Sequence, residues 1–179
     1  MSERRTNRAY LSLGSNIEPE QNLPAAVREL ATFGRVVAVS RVWESAPLSD
    51  GKSGRGACRQ DQNFLNAALL FETPLTAPGI YEQAIAAVEK RLKRERDPYD
   101  KYAPRTIDVD LSLFNNDVLE FGGHRVPDPE ILTRPFVAIP LAEVAPDYIH
   151  PLEQRRLSEI AAACSTNSGL LPRPDVRLR

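Results

Sequence analysis

The most regular pattern of apolar and polar positions in the chain lies between residues 106 and 113. Apolar side chains that an extended chain would turn to one face recur at every second position: Ile107, Val109, Leu111 and Leu113. The opposite face would carry the polar residues Thr106, Asp108, Asp110 and Ser112. A period of two residues predicts a half-buried β-strand.

Apolar spacing along the rest of the chain predicts further strands and helices. Strands are expected at residues 10–13, 35–43, 63–73 and 118–121, where β-branched and other apolar residues are concentrated. Helices are expected at residues 23–33, 76–96, 132–144 and 157–164, where apolar residues recur every three or four positions. The tripeptide at 14–16, Gly-Ser-Asn, is typical of a turn between the first strand and the first helix.

The predicted strand at 106–113 places two carboxylates, those of Asp108 and Asp110, side by side on one face. Like charges that close together raise each other's pKa unless a cation intervenes. Mg²⁺ is a suitable cation because proteins hold it through one or two carboxylates together with substrate phosphates. The pattern by itself fits a solvated strand face equally well, although aspartate is disfavoured in strands.

A basic run precedes the two aspartates. Residues 89–105 contain seven Lys and Arg against four Asp and Glu, and two prolines break the chain before the strand begins. Most such runs are solvated helix faces, but phosphate chemistry needs both signs of charge in one place. The loop brings Arg105, whose planar fork suits phosphate oxygens, beside the acids.

Two further features admit both a structural and a functional interpretation. Asn66 interrupts an apolar strand, and its amide would be satisfied either by backbone groups or by a polar ligand. Residues 44–62 form a long connection with several glycines and little to pack, which is typical of a functional or a disordered loop. Its glycines lack the spacing of a phosphate-binding P-loop.

The totals limit the class of protein. A chain of 179 residues is long enough for one domain, with a core expected over about 9–164 and a loosely held tail at 165–179. A formal net charge of −1 argues against a dedicated nucleic-acid-binding protein. No apolar run reaches the ~20 residues that span a bilayer, and the polar N-terminus does not have the pattern of a signal peptide. We therefore expect a cytoplasmic protein that acts on neither nucleic acid nor membrane.

Several segments together resemble one family, the 6-hydroxymethyl-7,8-dihydropterin pyrophosphokinases of folate biosynthesis. In chain order they are Leu-Gly-Ser-Asn at 13–16, Glu-Ser-Ala-Pro at 44–47, Asp-Gln-Asn-Phe-Leu-Asn-Ala at 61–67, Pro-Arg-Thr-Ile-Asp-Val-Asp at 104–110, and Val-Pro-Asp-Pro at 126–129 with Arg-Pro-Phe-Val at 134–137. The segment at 104–110 is highly specific to the family, whereas each of the others would be a weak signal alone.

The resemblance implies an α+β fold of the ferredoxin-like kind, in which helices flank an antiparallel sheet. It implies transfer of pyrophosphate from ATP to the hydroxymethyl oxygen of the pterin, with release of AMP, by a protein expected to be a monomer. Asp108 and Asp110 would hold two Mg²⁺ ions, and Arg94 and Arg105 would be the catalytic arginines. The pterin would be bound by Ser45, Pro47, Leu48, Phe64, Asn66 and Phe136. The nucleotide would be bound by Glu89, Arg96, Tyr102, Leu111, Asp128 and Arg134.

The chain departs from the family pattern at several positions. Asp128 stands where many members have a histidine that reaches the nucleotide, Tyr102 replaces a frequent tryptophan, and Lys93 replaces a frequent glycine. Segments 49–59 and 96–103 are expected to act as lids that exclude water. Two other classes of protein stay open: a catalytically silent pterin- or nucleotide-binding protein, and a protein-interaction domain of the same shape.

Overall fold

The computed structural model describes residues 6–47, 63–98, 103–166 and 168–179. Its first half contains β1 (Asn7–Ser15), α1 (Pro19–Leu30), β2 (Arg35–Val39), β3 (Trp43–Ser45) and β4 (Phe64–Thr73). A continuous helical segment follows as α2 (Ala77–Gly79), a π-helical stretch (Ile80–Ile85) and α3 (Ala86–Arg91). The second half contains β5 (Asp108–Phe114), the hairpin strands β6 (Leu119–Phe121) and β7 (His124–Val126), a 3-10 turn (Pro129–Leu132), α4 (Pro135–Val144), α5 (Leu157–Ser165) and β8 (Leu171–Pro172).

The main sheet has the strand order β5-β1-β4-β3-β8, and β2 pairs with β4 beside β3. Its paired strands run antiparallel. Two helical crossovers join strands that are not neighbours in the sheet: α1 joins β1 to β2, and α2–α3 joins β4 to β5. As a result, β4 lies between β1 and β3, and β5 lies on the far side of β1. The predicted antiparallel sheet with flanking helices is therefore confirmed.

Alternation along the central strands gives the sheet two apolar faces, each with its own cover. One face, which includes Leu11 and Leu69, packs with residues of α1 and of the segment that ends in α3. The other face, which includes Tyr10 and Leu70, packs with residues of α4 and α5. No helix in the described part of the chain is long and apolar enough to cross a bilayer.

Several element boundaries differ from the prediction, and three of the differences bear on the site. β1 extends to Ser15, so Gly14 is a strand residue with a pairing partner on each side and not part of a turn. The predicted strand at 35–43 is divided into β2 and β3, and between them the Ser40 hydroxyl accepts the backbone N–H of Ala68 at 2.8 Å. The long helix ends at Arg91, five residues before its predicted end.

The prediction of a loosely held C-terminal tail is wrong for residues 168–179. β8 pairs with β3, and the side chains of Val176 and Leu178 are buried in the same core as α1. Arg173 donates its backbone N–H to the Val42 carbonyl at 2.9 Å. Proline content and polarity had suggested mobility, but the segment is held by two buried apolar side chains at alternate positions and by pairing of its short, exposed strand with β3.

Candidate active site

A pocket of about 450 Å³ lies on the sheet face that carries α4 and α5, beyond the area that these helices cover. Its lining crosses the strands from β3 and β4, through β1, to β5, and then reaches the β6–β7 hairpin. The start of α4 forms one wall through Arg134, Phe136 and Val137. The pocket therefore joins side chains that are far apart in sequence into one surface.

Gly14 lies at the centre of the pocket floor. It is paired with Asn66 of β4 on one side and with Asp108 of β5 on the other, so these three residues form one row across the sheet. Because adjacent strands are about 4.8 Å apart, Asn66 and Asp108 are about 10 Å apart along this row. A Cβ built on Gly14 would be 3.7 Å from the Oδ1 atom of Asn66 and 3.9 Å from the Cβ atom of Asp108.

The β3–β4 end of the pocket contains five of the six residues predicted to bind a pterin: Ser45, Pro47, Phe64, Asn66 and Phe136. The Asn66 Nδ2 group donates to the Ser45 hydroxyl at 2.9 Å and lies 3.3 Å from the Trp43 carbonyl. Side-chain and backbone oxygens thus fix the amide of this buried residue, and its Oδ1 atom lies beside Gly14 in the pocket lining. The sixth residue, Leu48, lies outside the described residues.

Asp108 lies between two arginines. Its Oδ1 atom is 2.8 Å from Nη1 of Arg94, and its Oδ2 atom is 2.6 Å from Nη1 of Arg105. Arg105 lines the pocket, and its guanidinium carbon is 5.9 Å from the centre of the Phe64 ring. The side chain of Arg105 therefore connects the acidic end of the pocket with the aromatic end.

Asp110 lies on the same face of β5 and lines the pocket. Burial among the pocket walls and the charge of Asp108 raise the pKa of Asp110 from 3.8 to about 7, and the charges of Asp128 and Glu130 act in the same direction. Asp110 is still exposed to solvent through the pocket mouth. Its carboxylate is therefore only partly desolvated, as expected in a cleft and not in a closed core. Of the charges that act on Asp110, three carboxylates raise its pKa and Arg94 lowers it.

Arg94, predicted to be catalytic, is placed behind Asp108 and not in the lining of the main pocket. Its side chain is 8% exposed and also donates to the Ile107 carbonyl. The other partner is Glu89, which is 3.4 Å from Nε of Arg94 and 2.6 Å from Nη2 of Arg96. Glu89 and Arg96, both predicted to bind nucleotide, thus lie with Arg94 and outside the main lining.

A Schellman motif turns the chain toward Asp108 after α3. The backbone N–H of Arg94 donates to the Glu89 carbonyl at 2.9 Å, and that of Lys93 donates to the Lys90 carbonyl at 3.3 Å. Lys93 has φ 52°, in the left-handed region that glycine adopts most easily. This backbone conformation fits the glycine that the resemblance leads us to expect at this position, and lysine adopts it here.

Three of the residues predicted to bind nucleotide line the pocket at its β5 end: Leu111, Asp128 and Arg134. Asp128 also caps the following 3-10 turn, because its Oδ1 atom accepts the backbone N–H of Glu130 at 2.9 Å. Burial raises the pKa of Asp128. Tyr102 lies outside the described residues, as do segment 49–59 and part of segment 96–103.

Several lining residues were not predicted, among them Ser12, Tyr81, His124 and Glu130. The Tyr81 ring stacks on the His124 ring with centroids 3.8 Å apart, and its hydroxyl accepts the backbone N–H of Leu111 at 3.2 Å. Tyr81 lies in the π-helical stretch, whose extra residue per turn is invisible to a search for helical periodicity. His124 reaches the pocket because it lies in the β6–β7 hairpin, and no sequence pattern predicts where that hairpin packs against the rest of the protein.

The donor set at the acidic end fits Mg²⁺. Burial is the first cause of the raised pKa of Asp110 and the charge of Asp108 is the second, and a divalent cation between the two carboxylates would offset their repulsion. Within residues 6–47, 63–98, 103–166 and 168–179 there is no cluster of three or more His, Cys, Asp or Glu arranged for a metal. Mg²⁺ does not require one, because it completes its shell with water and substrate phosphates.

The chain is similar to known proteins over most of its length. A family model described as 7,8-dihydro-6-hydroxymethylpterin-pyrophosphokinase (HPPK) matches residues 10–146. A protein of Pseudomonas aeruginosa named 2-amino-4-hydroxy-6-hydroxymethyldihydropteridine pyrophosphokinase is 36% identical over 160 residues, which is 88% of this chain and 91% of that protein. A Methylorubrum extorquens protein of the same name is 39% identical over 146 residues, which is 79% of this chain and 85% of that protein.

Solved structures show the same fold. A Plasmodium falciparum HPPK-DHPS crystal structure with pteroate matches with a TM-score of 0.64 and 14% sequence identity. The match covers 91% of this chain and 43% of that one, so this chain spans less than half of that longer protein.

Proposed function

The chain belongs to the 7,8-dihydro-6-hydroxymethylpterin-pyrophosphokinase family, and we propose that its pocket carries out the pyrophosphoryl transfer of that family from ATP to the hydroxymethyl group of 6-hydroxymethyl-7,8-dihydropterin. It is a pyrophosphokinase of folate biosynthesis by its family. The observation that carries the proposed site is the row Asn66–Gly14–Asp108, which joins a pterin end and an acidic end across one floor.

The pterin would lie at the β3–β4 end. Phe64 and Phe136 supply aromatic faces for a flat heterocycle, and Asn66 supplies an oriented amide. Its hydroxymethyl group would then extend along the floor over Gly14 toward the acids. The working unit is proposed to be a monomer.

The triphosphate would lie at the β5 end, between opposite charges. Asp108 and Asp110 would hold Mg²⁺, two ions by the family resemblance, and the metal would offset the negative charge of the phosphates. Arg105, which lines the pocket, would contact phosphate oxygens directly, and Arg134 would approach them from the start of α4. Arg94 would act indirectly by holding Asp108 in place.

The reaction forms one bond and breaks one. The hydroxymethyl oxygen bonds to the β-phosphorus of ATP and loses its proton, while the bond from that phosphorus to the oxygen of the α-phosphate breaks and AMP leaves. The protein contributes alignment of the two substrates and neutralisation of charge, which account for most catalysis of phosphoryl transfer.

The test is to incubate the protein with ATP, Mg²⁺ and 6-hydroxymethyl-7,8-dihydropterin and to follow the phosphorus signals by NMR. Equal amounts of AMP and a pterin diphosphate support the proposal. Formation of ADP, or binding of both substrates without release of AMP, would reject it. The second outcome would identify the silent binding protein.

Cytoplasmic location is a further part of the proposal, and fractionation of cells that express the chain tests it.

A further inference from the structure

The C-terminal segment contacts the sheet beside the pterin end of the pocket. The family model matches residues 10–146, whereas the segment in question comprises residues 168–179. β8 adds a strand to the edge of the sheet, with Pro172 opposite Trp43 and Leu171 opposite Glu44. The strand that it pairs with, β3, is the one that carries Ser45 into the pocket lining.

Arg173 is the centre of this contact. Its guanidinium binds three carboxylates: Nη1 is 2.8 Å from Glu44, Nη2 is 3.1 Å from Glu20, and Nη2 is also 2.8 Å from Asp175. The side chains of Arg173 and Glu44 are 26% and 22% exposed, so this pair is better shielded from solvent than an ordinary surface ion pair, whereas Glu20 and Asp175 are half exposed or more. These contacts join the C-terminal segment to the first turn of α1 and to β3.

Glu44 transmits this contact to the neighbouring strand. Its Oε2 atom accepts from Arg173, and its Oε1 atom accepts from Nδ2 of Asn63 at 2.6 Å. Both hydrogen bonds lower the pKa of Glu44, that from Asn63 most, so the carboxylate stays charged. One carboxylate thus links the last part of β3 to the residue directly before β4.

The two linked residues precede two pocket residues. Ser45 follows Glu44, Phe64 follows Asn63, and Ser45 is paired directly with Phe64 across the two strands. Because successive side chains of a strand point to opposite faces, Glu44 and Asn63 point away from the pocket while Ser45 and Phe64 point into it. When Glu44 and Asn63 are held in place, the directions of the Ser45 and Phe64 side chains are therefore fixed as well.

We propose that Arg173 is a positioning residue for pterin binding: through Glu44 and Asn63, it holds Ser45 and Phe64 in the geometry that the pterin needs. The inference rests on the proposed function. The Ser45 hydroxyl in turn accepts a hydrogen bond from the Asn66 amide at 2.9 Å. The contacts that begin at Arg173 therefore extend to Asn66, which lies in the row with Gly14 and Asp108. The acidic end of the pocket is on β5, which β4 and β1 separate from β3, and it is held by its own arginines.

The test measures two affinities in the full-length protein by calorimetry. One is for 6-hydroxymethyl-7,8-dihydropterin, and the other is for α,β-methylene-ATP with Mg²⁺. Arg173→Met keeps the apolar stem but removes the three ion pairs, and it is expected to weaken pterin binding about tenfold, the equivalent of one hydrogen bond to a charged group. Binding of the ATP analogue is expected to stay unchanged.

Two further variants separate positioning from a loss of stability. Arg35→Met removes an exposed arginine that lies 2.6 Å from Glu72 on β4, away from the pocket, and should leave pterin binding as in the unchanged protein. Arg173→Lys keeps one positive charge beside Glu44 and should restore part of the pterin affinity. A melting temperature is recorded for each variant.

The outcomes are distinct. Selective weakening of pterin binding by Arg173→Met, with partial recovery in Arg173→Lys, supports the inference. Unchanged pterin affinity overturns it, and so does an equal loss of both affinities in step with the melting temperature. Failure of the unchanged protein to bind pterin at all would instead reject the proposed function, so the two failures cannot be confused.

Discussion

Asp108 and Asp110 lie two residues apart on one face of β5 but in different electrostatic surroundings. Asp108 has an arginine within 2.8 Å of each carboxylate oxygen. Asp110 has a raised pKa, first because of burial among the pocket walls and then because of the charge on Asp108. The difference predicts that Asp110 gains most from a bound cation.

A dependence of stability on pH follows for the metal-free protein. Asp110 has a folded pKa of about 7, above its ordinary value of 3.8, so between these values the folded state binds more protons than the unfolded state. The free energy of unfolding should therefore fall as pH rises from 3.8 to about 7, and this contribution should be constant below that window. Thermal melts in EDTA would measure it.

The matched control for this prediction is Asp110→Asn, which has no proton to exchange. It should flatten the decline in melting temperature across the window, and Mg²⁺ should stabilise it less than the unchanged protein. An identical decline in the two proteins would assign the effect to another group.

Arg105 should contribute to turnover and only modestly to stability. Replacement by alanine removes a pocket cation beside the phosphates, and kcat should fall roughly 10²–10⁴-fold, as for other charge-stabilising groups. Arg156→Ala, which removes an exposed arginine at the start of α5, is the charge-matched control and should keep its turnover. Steady-state kinetics that place Arg105→Ala within twofold of the unchanged protein would remove this role.

Gly14→Ala should separate stability from activity. The added Cβ would meet its neighbours at 3.7 Å and 3.9 Å, which are ordinary contacts, so the strand should accept it. Loss of glycine's freedom in the unfolded chain should even stabilise the protein by about 0.4–1 kcal/mol. The methyl group would nevertheless occupy the floor between Asn66 and Asp108, where the hydroxymethyl group must pass.

Turnover of Gly14→Ala should consequently fall while its melting temperature holds or rises, and Gly14→Val should lose more activity. Full activity in Gly14→Val would show that substrates do not cross this part of the floor.

Lys93→Gly should stabilise the protein. Lys93 has φ 52° in the Schellman motif that directs Arg94 to Asp108, and a non-glycine residue in the left-handed region costs about 1–3 kcal/mol where it is strained. Glycine adopts this φ readily but has more freedom to lose on folding, so the net gain should be about 1 kcal/mol or less. Urea unfolding would measure it, and a loss of stability would show that the lysine side chain makes a compensating contact.

Much of this arrangement could be predicted because it depends on local patterns. The alternation at 106–113 placed Asp108 and Asp110 on one face, and a specific motif placed Arg105 before them. The position of Gly14 could not be predicted, because a glycine followed by Ser-Asn signals a turn equally well. Only the pairing of β1 with two strands shows that it is the floor between Asn66 and Asp108.

The C-terminal segment illustrates a second limit. Its composition predicted mobility, but its order depends on long-range contacts, in which Arg173 pairs with Glu20 and Glu44 more than a hundred residues earlier in the chain. Asp128 is similar: the resemblance marks it as an acid at a position where many members are expected to have histidine, but only the structure shows that this acid caps the turn at Pro129.

The central claim is that cations held by Asp108 and Asp110 lie within reach of a pterin bound at Asn66. Paramagnetic broadening tests it most directly, with Mn²⁺ in place of Mg²⁺ in a complex of the protein, α,β-methylene-ATP and 6-hydroxymethyl-7,8-dihydropterin. Strong broadening of the hydroxymethyl proton signals of the pterin is predicted for the unchanged protein, with its loss in Asp110→Ala. Equal broadening in the two proteins, or none in either, would contradict the account.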